Sequence, residues 1–405
     1  MRTVEEHLQT VLAGVVPLSP IDVTLQDARG CVLAESVTAP WPLPPFDNAS
    51  MDGYAVRVAD VNAASDGKPA VLDVIDDVPA GYRASQALRE GAAIRIMTGA
   101  PIPEGTEAVI PVEWTDAGTE QVRINRDVQA GAHIRLRGDD IALGQVVATA
   151  GTVLGPREIA PLAAVGRGRV SVHPRPRVVV LSTGSELVEP GGTLTPGLIA
   201  DSNGPTIAAA VEEAGAIAFR VGPVPDDPEL MLSVLEDQLV RADLIITTGG
   251  VSAGAYDTVK AVLSTLGTVE FTKVAMQPGM PQGHGTLGED RTPIFTLPGN
   301  PVSAYVSFEV FVRPVLRRML GHSRIYRPVV RAVLSEPLTS PAGKRQFARA
   351  DLRVDEGRYV VSPAGGQGSH MLGALSQSNA LVVVPEEVTE LAAGSPVAVL
   401  RLDEG

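Results

Sequence analysis

A chain of 405 residues with 44% apolar and 20% charged side chains has the make-up of a globular protein of about two to four domains, not of a disordered or collagen-like chain. The net charge of −14 and the aromatic content of 4% argue against nucleic acid and anionic membranes as main partners. The single cysteine, Cys31, excludes an intrachain disulfide and a cysteine-based metal cage. Together with an N-terminus that lacks an apolar signal run, it leads us to expect a cytoplasmic protein.

The first 174 residues predict one helix followed by short β-type segments. Apolar residues recur at helical spacing over 3–16, and Thr3 with Glu6 has the form of a capping box. The prolines of WPLPPF forbid regular structure, and we interpret this segment as a crossing between domains. Residues 55–138 predict a small β module, whereas residues 140–174 return to a mixed, glycine-punctuated pattern.

From residue 175 apolar strands alternate with helices, up to a long helix after Asn300. This alternation predicts a parallel sheet with helices on both faces, joined by right-handed crossovers. From about residue 325 the pattern is β again. Two segments flank the turn Asp355-Glu356-Gly357 as a hairpin, and two further segments complete a small β domain.

Three strands of the predicted sheet end in glycine-rich loops that carry hydroxyl groups: STGSE (182–186), TTGGVSAGAYD (247–257) and LPGNPVSA (297–304). Loops at the carboxyl ends of parallel strands face one crevice, and N–H groups at helix starts bind oxyanions. The three loops therefore favour a phosphate-type anion site, although glycines also simply terminate strands. A Walker A pattern and GxGxxG are both absent from these loops, which argues against P-loop ATPases and dinucleotide enzymes.

Two carboxylates lie in the same loops, Glu186 after STGS and Asp257 at the end of the second loop. A carboxylate beside an anion-binding loop repels the ligand unless a cation lies between them, so the pair favours a Mg²⁺ site. Taken singly, each residue fits a helix cap at least as well.

Two further segments carry clustered polar residues. FDNASMDGYAVR at 46–57 holds more acids and turn formers than one turn requires. RLRGDDI at 135–141 mixes arginines with two aspartates, which by itself is typical of a solvated hairpin tip.

These motifs, in this order, resemble the molybdopterin molybdenumtransferases, the MoeA and gephyrin E-domain family. The resemblance covers essentially the whole chain and also includes IRIMTGAPIPEG and GQGSHML. It implies a multidomain α/β plus β subunit of four domains. They are an extended N-terminal linker domain (1–45 and 140–174), a β-rich insertion domain (46–139), a doubly wound molybdopterin-binding α/β domain (175–322) and a C-terminal β-barrel (323–405).

The resemblance also implies the reaction, in which molybdenum from molybdate enters the dithiolene of adenylylated molybdopterin and AMP is released, with Mg²⁺ required. Carried over by motif, the catalytic set is Asp52, Thr98, Asp140, Glu186, Asp257 and Ser369. We assign Glu186 and Asp257 to Mg²⁺ and the phosphate end, and the other four to the molybdate and dithiolene end. The predicted substrate-binding set is Ser182, Thr183, Gly184, Gly249, Gly250, Ser252, Pro298, Gly299, Asn300, Lys344 and Arg345.

Family resemblance further implies a homodimer with a shared active cleft, and an upstream adenylyltransferase is a further expected partner. Two alternatives stay open: an adenylyltransferase of the related molybdopterin-binding fold, and a non-catalytic scaffold of the gephyrin type. The flanking β modules argue against the first alternative, and the intact acids argue against the second.

The chain departs from the family pattern in MQPGMPQGHG (276–285), where many members carry lysines. Gln277, Met280 and Gln282 supply no fixed charge, and we interpret His284 as a solvated side chain of a glycine-rich loop. The departure could also mark a paralogue with another metal oxyanion or weakened activity. Otherwise anion binding must use other cations, for which the candidates are Lys260, Lys273, Arg135, Arg137, Lys344 and Arg345.

Overall fold

The computed structural model describes residues 1–250 and 256–403, and only the backbone of residues 256–258. Its α-helices are α1 (Val4–Leu12), α2 (Pro156–Ala164), α3 (Asn203–Glu213), α4 (Pro228–Leu239), α5 (Tyr256–Leu266), α6 (Pro301–Ser307) and α7 (Arg313–Met319). A π-helical turn (Phe308–Val312) joins α6 to α7, and 3-10 turns lie at Val58–Val61, Val112–Trp114 and Leu372–Ala374.

The strands are β1 (Ile21–Thr24), β2 (Val32–Leu33), β3 (Val37–Thr38), β4 (Asn48–Ala49), β5 (Gly53–Val56), β6 (Ala70–Val78), β7 (Ala92–Ile96), β8 (Ala108–Pro111), β9 (Gln121–Ile124), β10 (Ile134–Arg135), β11 (Val146–Ala148), β12 (Arg169–His173), β13 (Arg177–Thr183), β14 (Leu187–Val188), β15 (Ile199–Ala200), β16 (Ile217–Val224), β17 (Leu244–Thr248), β18 (Gly267–Lys273), β19 (Met276–Gln277), β20 (Pro281–Leu287), β21 (Thr292–Leu297), β22 (Val329–Leu334), β23 (Leu338–Thr339), β24 (Arg345–Asp355), β25 (Arg358–Pro363), β26 (Ala380–Val384), β27 (Glu390–Leu391) and β28 (Pro396–Arg401).

The chain divides into two compact units. The first unit comprises residues 1–22, 30–34 and 171–405, and the second comprises residues 23–29 and 35–170. This is a coarser division than the four domains predicted from the sequence, whose boundaries stay a prediction. Within the described helices, no segment is both long enough and apolar enough to cross a membrane.

A five-stranded sheet of order β8-β5-β7-β6-β9 forms the centre of the second unit. Its three neighbouring strands β8, β5 and β7 are buried along nearly their whole length, and the buried residues include Tyr54, Ile94 and Ile110. The β module predicted over 55–138 is therefore present. Nearby, β11 of the mixed segment pairs with β3 of the N-terminal segment.

Helix α1 begins with the predicted capping box. The Glu6 amide donates to the Thr3 hydroxyl at 3.1 Å, and the Thr3 amide donates to the Glu6 carboxylate at 2.8 Å. The helix ends at Leu12, earlier than the predicted residue 16, because Gly14 adopts a left-handed conformation at φ +75°.

The main sheet of the first unit has the strand order β16-β13-β17-β21-β20-β18. Helices α3, α6 and α7 cover one face around Val180, and α4 and α5 cover the other face around Leu181. The first four strands are parallel, as predicted.

The parallel prediction is wrong for β18, which runs antiparallel to β20. Strand β20, which the sequence analysis treated as a loop, is also antiparallel to β21. Glycine and proline are depleted in strands, so the sequence around β20 is typical of a loop. In β20, Gly285 is required because the backbone of β18 lies very close to it. A Cβ at Gly285 would lie 1.9 Å from the Thr268 carbonyl oxygen.

The C-terminal strands close into a five-stranded barrel. The order is β24-β25-β22-β28-β26, and pairing of β26 with β24 completes the ring. The predicted hairpin is confirmed, since Asp355 pairs with Arg358 across Glu356 and Gly357, both of which have positive φ.

Candidate functional site at the carboxyl end of the main sheet

The glycine-rich loops after β13, β17 and β21 lie side by side, because these three strands are neighbours in the parallel part of the sheet. The Gly249 amide donates to the Leu297 carbonyl oxygen at 3.1 Å, and the Thr183 hydroxyl donates to the Thr248 carbonyl oxygen at 3.2 Å. The predicted convergence of the three loops is therefore present in the described residues.

Glycine is needed at this convergence. Gly249 has φ +95°, and a Cβ there would lie 2.5 Å from the Thr183 carbonyl oxygen. A Cβ at Gly299 would lie 3.6 Å from the Gly249 Cα atom. Gly299 and Asn300 are exposed, whereas Pro298 is buried. The exposed Gly299 thus offers a backbone surface without a side chain, which a phosphate or another oxyanion can approach closely.

The Ser182 and Thr183 side chains, predicted to bind substrate, are buried and belong to the framework beneath the loops. Ser182 is fully buried and Thr183 is 4% exposed. The Ser182 hydroxyl donates to Asp201 Oδ1 at 2.9 Å. These hydroxyls therefore hold the loops in place, and the prediction that Ser182 and Thr183 bind substrate stays a prediction.

Two described carboxylates lie at the STGSE turn. Glu186 is exposed, and its Oε2 atom would lie 2.6 Å from a Cβ placed on Gly184. Asp226 lies beside the same turn, because its amide donates to the Ser185 hydroxyl at 3.0 Å. The sequence analysis missed Asp226, which reads as part of an ordinary turn before α4.

The oxygen donors at this turn fit Mg²⁺, which is commonly held by one or two carboxylates together with substrate phosphates. The described residues hold no group of three or more His, Cys, Asp or Glu side chains that would form a complete metal cage. Two predicted residues cannot be added to this picture, since Ser252 and the Asp257 side chain lie outside the described residues.

Ser369 contacts the LPGNP turn. The Asn300 side-chain amide donates to the Ser369 hydroxyl at 3.1 Å, and the Val302 amide donates to the Ser369 carbonyl oxygen at 3.3 Å. Ser369 therefore contacts the loop cluster of the first unit, and its predicted role at the molybdate and dithiolene end stays a prediction. Arg349 holds the preceding loop by donating to the carbonyl oxygens of Gly366 and Gly368.

A second cluster of predicted site residues lies in the second unit. Asp52 Oδ1 accepts hydrogen bonds from both the Thr98 amide and the Thr98 hydroxyl, each at 2.7 Å. These bonds hold the pKa of the Asp52 carboxyl below its ordinary value. Both residues are exposed. The sequence motifs 46–57 and IRIMTGAPIPEG thus meet at one carboxylate.

The motif RLRGDDI at 135–141 is attached to the segment that precedes Asp52 by a short strand pair and by hydrogen bonds. Strand β4 pairs with β10, and the Arg137 amide donates to Asp47 Oδ1 at 2.7 Å. Asp140 is exposed, and its amide donates to the Leu43 carbonyl oxygen at 3.0 Å. The motif is therefore anchored through its backbone while the Asp140 side chain remains accessible.

The two residues of the predicted basic patch, Lys344 and Arg345, have different surroundings in the structure. Arg345 forms ion pairs with Glu5 of α1 and with Glu386, so its charge is already neutralised within the first unit. This contact favours a structural role for Arg345. Lys344 is half-buried. The remaining candidate cations have exposed side chains: Lys260, Lys273, Arg135 and Arg137.

The interpretation of His284 as a solvated loop residue is wrong. His284 is half-buried in β20, with its ring centroid 5.2 Å from that of buried His7 in an edge-on arrangement. Gln282 is 2% exposed and donates to the Gly279 carbonyl oxygen and to the Ser307 hydroxyl, both at 2.6 Å. The segment that lacks lysines is therefore packed against α6 through a neutral side chain.

These features define a class of protein: a multidomain chain in which a largely parallel α/β sheet with three converging glycine-rich loops is combined with a β-rich unit and a five-stranded barrel. Three family models match in chain order. "MoeA N-terminal region (domain I and II)" matches residues 2–166, "Probable molybdopterin binding domain" matches 179–318, and "MoeA C-terminal region (domain IV)" matches 331–402. The chain belongs to the MoeA family of molybdopterin molybdenumtransferases, enzymes of molybdenum-cofactor biosynthesis.

Relatives match over nearly the full length. Molybdopterin molybdenumtransferase 2 of Mycobacterium tuberculosis H37Rv is 47% identical over 99% of this chain and 100% of its own length. The molybdopterin molybdenumtransferase of Bacillus subtilis 168 is 35% identical over 94% of this chain and 90% of its own length. The crystal structure of a MoeA molybdopterin biosynthesis protein from Pyrococcus horikoshii superimposes with a TM-score of 0.83 at 32% identity, covering 100% of this chain and 99% of that chain. The family and fold class predicted from the sequence are confirmed.

Proposed function

We propose that this chain transfers molybdenum from molybdate to the dithiolene of adenylylated molybdopterin and releases AMP. The observation that carries the proposal is the convergence of three glycine-rich loops at the carboxyl end of β13, β17 and β21, in a chain whose full length matches this family. The exposed backbone of Gly299 and the left-handed Gly249 leave room for a phosphate group to approach closely.

The chemical difficulty of the reaction is that both substrates are anions. Molybdate and the phosphorylated, adenylylated ligand repel each other, and the repulsion must be screened where they meet. Backbone amide dipoles at the loops supply part of this screening without adding a titratable charge. Mg²⁺, when bound, would neutralise phosphate charge, and we assign it to Glu186 and Asp257, with Asp226 at the same turn as Glu186.

Asp52 suits a different task. Its lowered pKa keeps the carboxylate ionised near neutral pH, so it acts as a hydrogen-bond acceptor and proton acceptor and not as the resting proton donor. We assign Asp52, Thr98 and Asp140 to the molybdate end of the reaction. There the two dithiolene thiols lose their protons as their sulfur atoms bind molybdenum, and these two protons convert one departing oxo ligand to water, with Asp52 as the acceptor that passes them on. Ser369, through its contact with Asn300, belongs to the phosphate-loop side of the same reaction.

The proposal includes a homodimer with a shared active cleft, a cytoplasmic location and contact with an upstream adenylyltransferase. These parts rest on the family resemblance and on the composition of the chain. A mixture of one variant inactivated in the loops and one inactivated at Asp52 tests the shared cleft. Random pairing would restore about a quarter of the sites if each cleft draws on two subunits, and none if each cleft is built from one chain.

Nucleotide turnover tests the reaction itself. Purified protein with Mg²⁺ and adenylylated molybdopterin should release AMP only when molybdate is added. An adenylyltransferase would instead consume ATP with molybdopterin alone, and a non-catalytic scaffold would do neither. AMP release at the same rate without molybdate would overturn the proposal in favour of simple hydrolysis.

A further inference from the structure

A buried carboxylate lies directly under the loop cluster. Asp201 is 1% exposed, and its Oδ1 atom accepts the Ser182 hydroxyl at 2.9 Å and the Gly204 amide at 3.0 Å. The Ser182 hydroxyl in turn accepts the Thr248 hydroxyl at 3.2 Å. Arg220 Nη1 lies 3.4 Å from Asp201 Oδ2 and supplies the opposite charge that a buried carboxylate requires. One carboxylate thus connects the ends of β13 and β17 to the start of α3.

Asn203 extends this connection to the third loop. Its side chain is 8% exposed, and its Nδ2 atom donates to the Gly299 carbonyl oxygen at 2.7 Å. The Oδ1 atom of the same amide is buried and has no hydrogen-bond partner among the described residues. A buried unpaired acceptor is unfavourable, so the favourable contribution of this side chain comes from its donor.

The packing around these two residues leaves little freedom. A Cβ at Gly204 would lie 2.4 Å from Asp201 Oδ2 and 3.1 Å from the Ser182 hydroxyl oxygen. Between them, the two side chains therefore contact all three loops: Asp201 reaches STGSE directly and TTGG through Ser182, and Asn203 reaches LPGNP.

We propose that Asp201 and Asn203 are positioning residues that hold the three glycine-rich loops in the arrangement that binds the phosphorylated substrate. They act through the backbone that they fix and do not themselves react. The inference deepens the proposed function and rests on it for the identity of the ligand. By this inference, the segment Asp201-Ser202-Asn203 at the start of α3 positions the three loops in addition to beginning the helix.

A carboxylate at the other end of the same strands provides a matched control. Asp243 precedes β17, and its Oδ2 atom accepts the Arg177 amide at 2.7 Å and the Arg177 Nε atom at 3.1 Å. Asp243 thus ties β13 to β17 as Asp201 does, but at the amino end of the sheet. Removing its charge by Asp243→Asn tests what a purely structural tie contributes.

The experiment measures the dissociation constant of AMP, the KM for adenylylated molybdopterin and the melting temperature for each variant. We expect Asn203→Leu, which keeps a similar volume and loses the donor without adding charge, and Asp201→Val to weaken AMP binding and raise KM by about five- to tenfold. Asp201→Asn retains an oxygen for Ser182 and Gly204 and should stay within about threefold of the wild type. Ser182→Ala provides a milder change if Asp201→Val fails to fold.

Asp243→Asn should lower the melting temperature without changing either binding quantity. The inference is overturned if Asn203→Leu and Ser182→Ala bind AMP as the wild type does, or if Asp243→Asn raises KM by the same factor. Wild-type turnover, measured in parallel, separates the two proposals. If the wild type shows no molybdate-dependent AMP release, the proposed function fails, and the AMP affinities of the variants still decide the positioning role.

Discussion

The two clusters of predicted site residues differ in how they are built. At the carboxyl end of the main sheet, Ser182, Thr183 and Asp201 are at most 4% exposed and bond to one another or to the backbone. In the second unit, Asp52 and Thr98 are exposed on the tips of a small sheet. The first cluster is a rigid framework that presents backbone, whereas the second presents side chains.

Because of this difference, we expect substitutions in the two clusters to affect different measured quantities. Changes in the buried framework should disturb folding and ligand binding together, since polar groups there lose partners that water cannot replace. Changes at the exposed carboxylate should alter the reaction with little effect on folding, because an exposed side chain finds water as a substitute partner. The following variants test that separation, from the largest expected effect to the smallest.

Gly249→Ala should have the largest effect on stability. The new Cβ would lie 2.5 Å from the Thr183 carbonyl oxygen and would also force a left-handed φ on alanine. We expect the free energy of unfolding to fall by about 3 kcal/mol and AMP binding to weaken with it. Chemical denaturation and calorimetry provide the two measurements.

Gly191→Ala is the control for that substitution. Gly191 has φ +92°, close to that of Gly249, but no heavy atom lies within 4 Å of its added Cβ. The strain alone should lower stability by about 1 kcal/mol and leave AMP binding unchanged. Equal losses for the two variants would show that close approach of the loops is unimportant.

Acid should weaken the first unit selectively. Burial, with smaller contributions from the neighbouring His284 and Arg2, lowers the pKa of His7 from 6.5 to about 3. Since the folded form stays neutral, stability is complete above the unfolded pKa and declines as the pH falls from 6.5 towards 3. For His7 the loss between pH 6.5 and pH 5 should be about 2 kcal/mol, and His7→Phe should remove most of it.

Each unit has its own readout in this acid experiment. Both tryptophans of the chain, Trp41 and Trp114, lie in the second unit, so their fluorescence reports on that unit. Hydrogen exchange of the α1 peptide reports on the first unit. The account predicts faster exchange in α1 at pH 5 with unchanged tryptophan emission. Loss of tryptophan emission before α1 exchange increases would contradict it.

Arg345→Ala and Lys344→Ala separate structural charge from ligand-binding charge. Arg345 is paired with Glu5 and Glu386, and we expect its loss to lower stability by about 1 kcal/mol with an unchanged KM. Lys344→Ala should leave stability within about 0.5 kcal/mol. If Arg345→Ala instead raises KM and leaves stability unchanged, Arg345 binds substrate and its role is not structural.

Thr98→Val should have the smallest effect on stability and a distinct effect on pH dependence. The variant keeps the Thr98 amide bond to Asp52 and loses the hydroxyl bond, so the pKa of Asp52 should rise towards its ordinary value. The acid limb of the activity profile should then move to higher pH. An unmoved profile would show that Asp52 does not limit the rate in acid.

Much of the fold could be predicted because it is encoded locally. The Thr3–Glu6 capping box and the Glu356-Gly357 hairpin are each specified by neighbouring residues. The alternation of apolar strands and helices specified the parallel part of the main sheet. The sequence did not predict β20, because its glycines are explained only by the backbone of β18 lying against them.

The site residues were harder to place, since their roles depend on distant partners. Asp201 looks like a helix cap until Ser182, 19 residues earlier, is brought onto its carboxylate. Ser369 meets Asn300 across 69 residues, and Arg345 meets Glu5 across 340. Residue type and local spacing indicate that such side chains carry function or charge, but only the tertiary fold determines which partner they meet.

Single-turnover analysis of Asp52→Asn tests most directly whether one cluster binds substrate and the other carries out the chemistry. With adenylylated molybdopterin pre-bound and molybdate and Mg²⁺ added, the account predicts binding within about threefold of the wild type and AMP release slowed by about 100-fold. An Asp52→Asn protein that releases AMP at the wild-type rate would contradict the division between the two clusters.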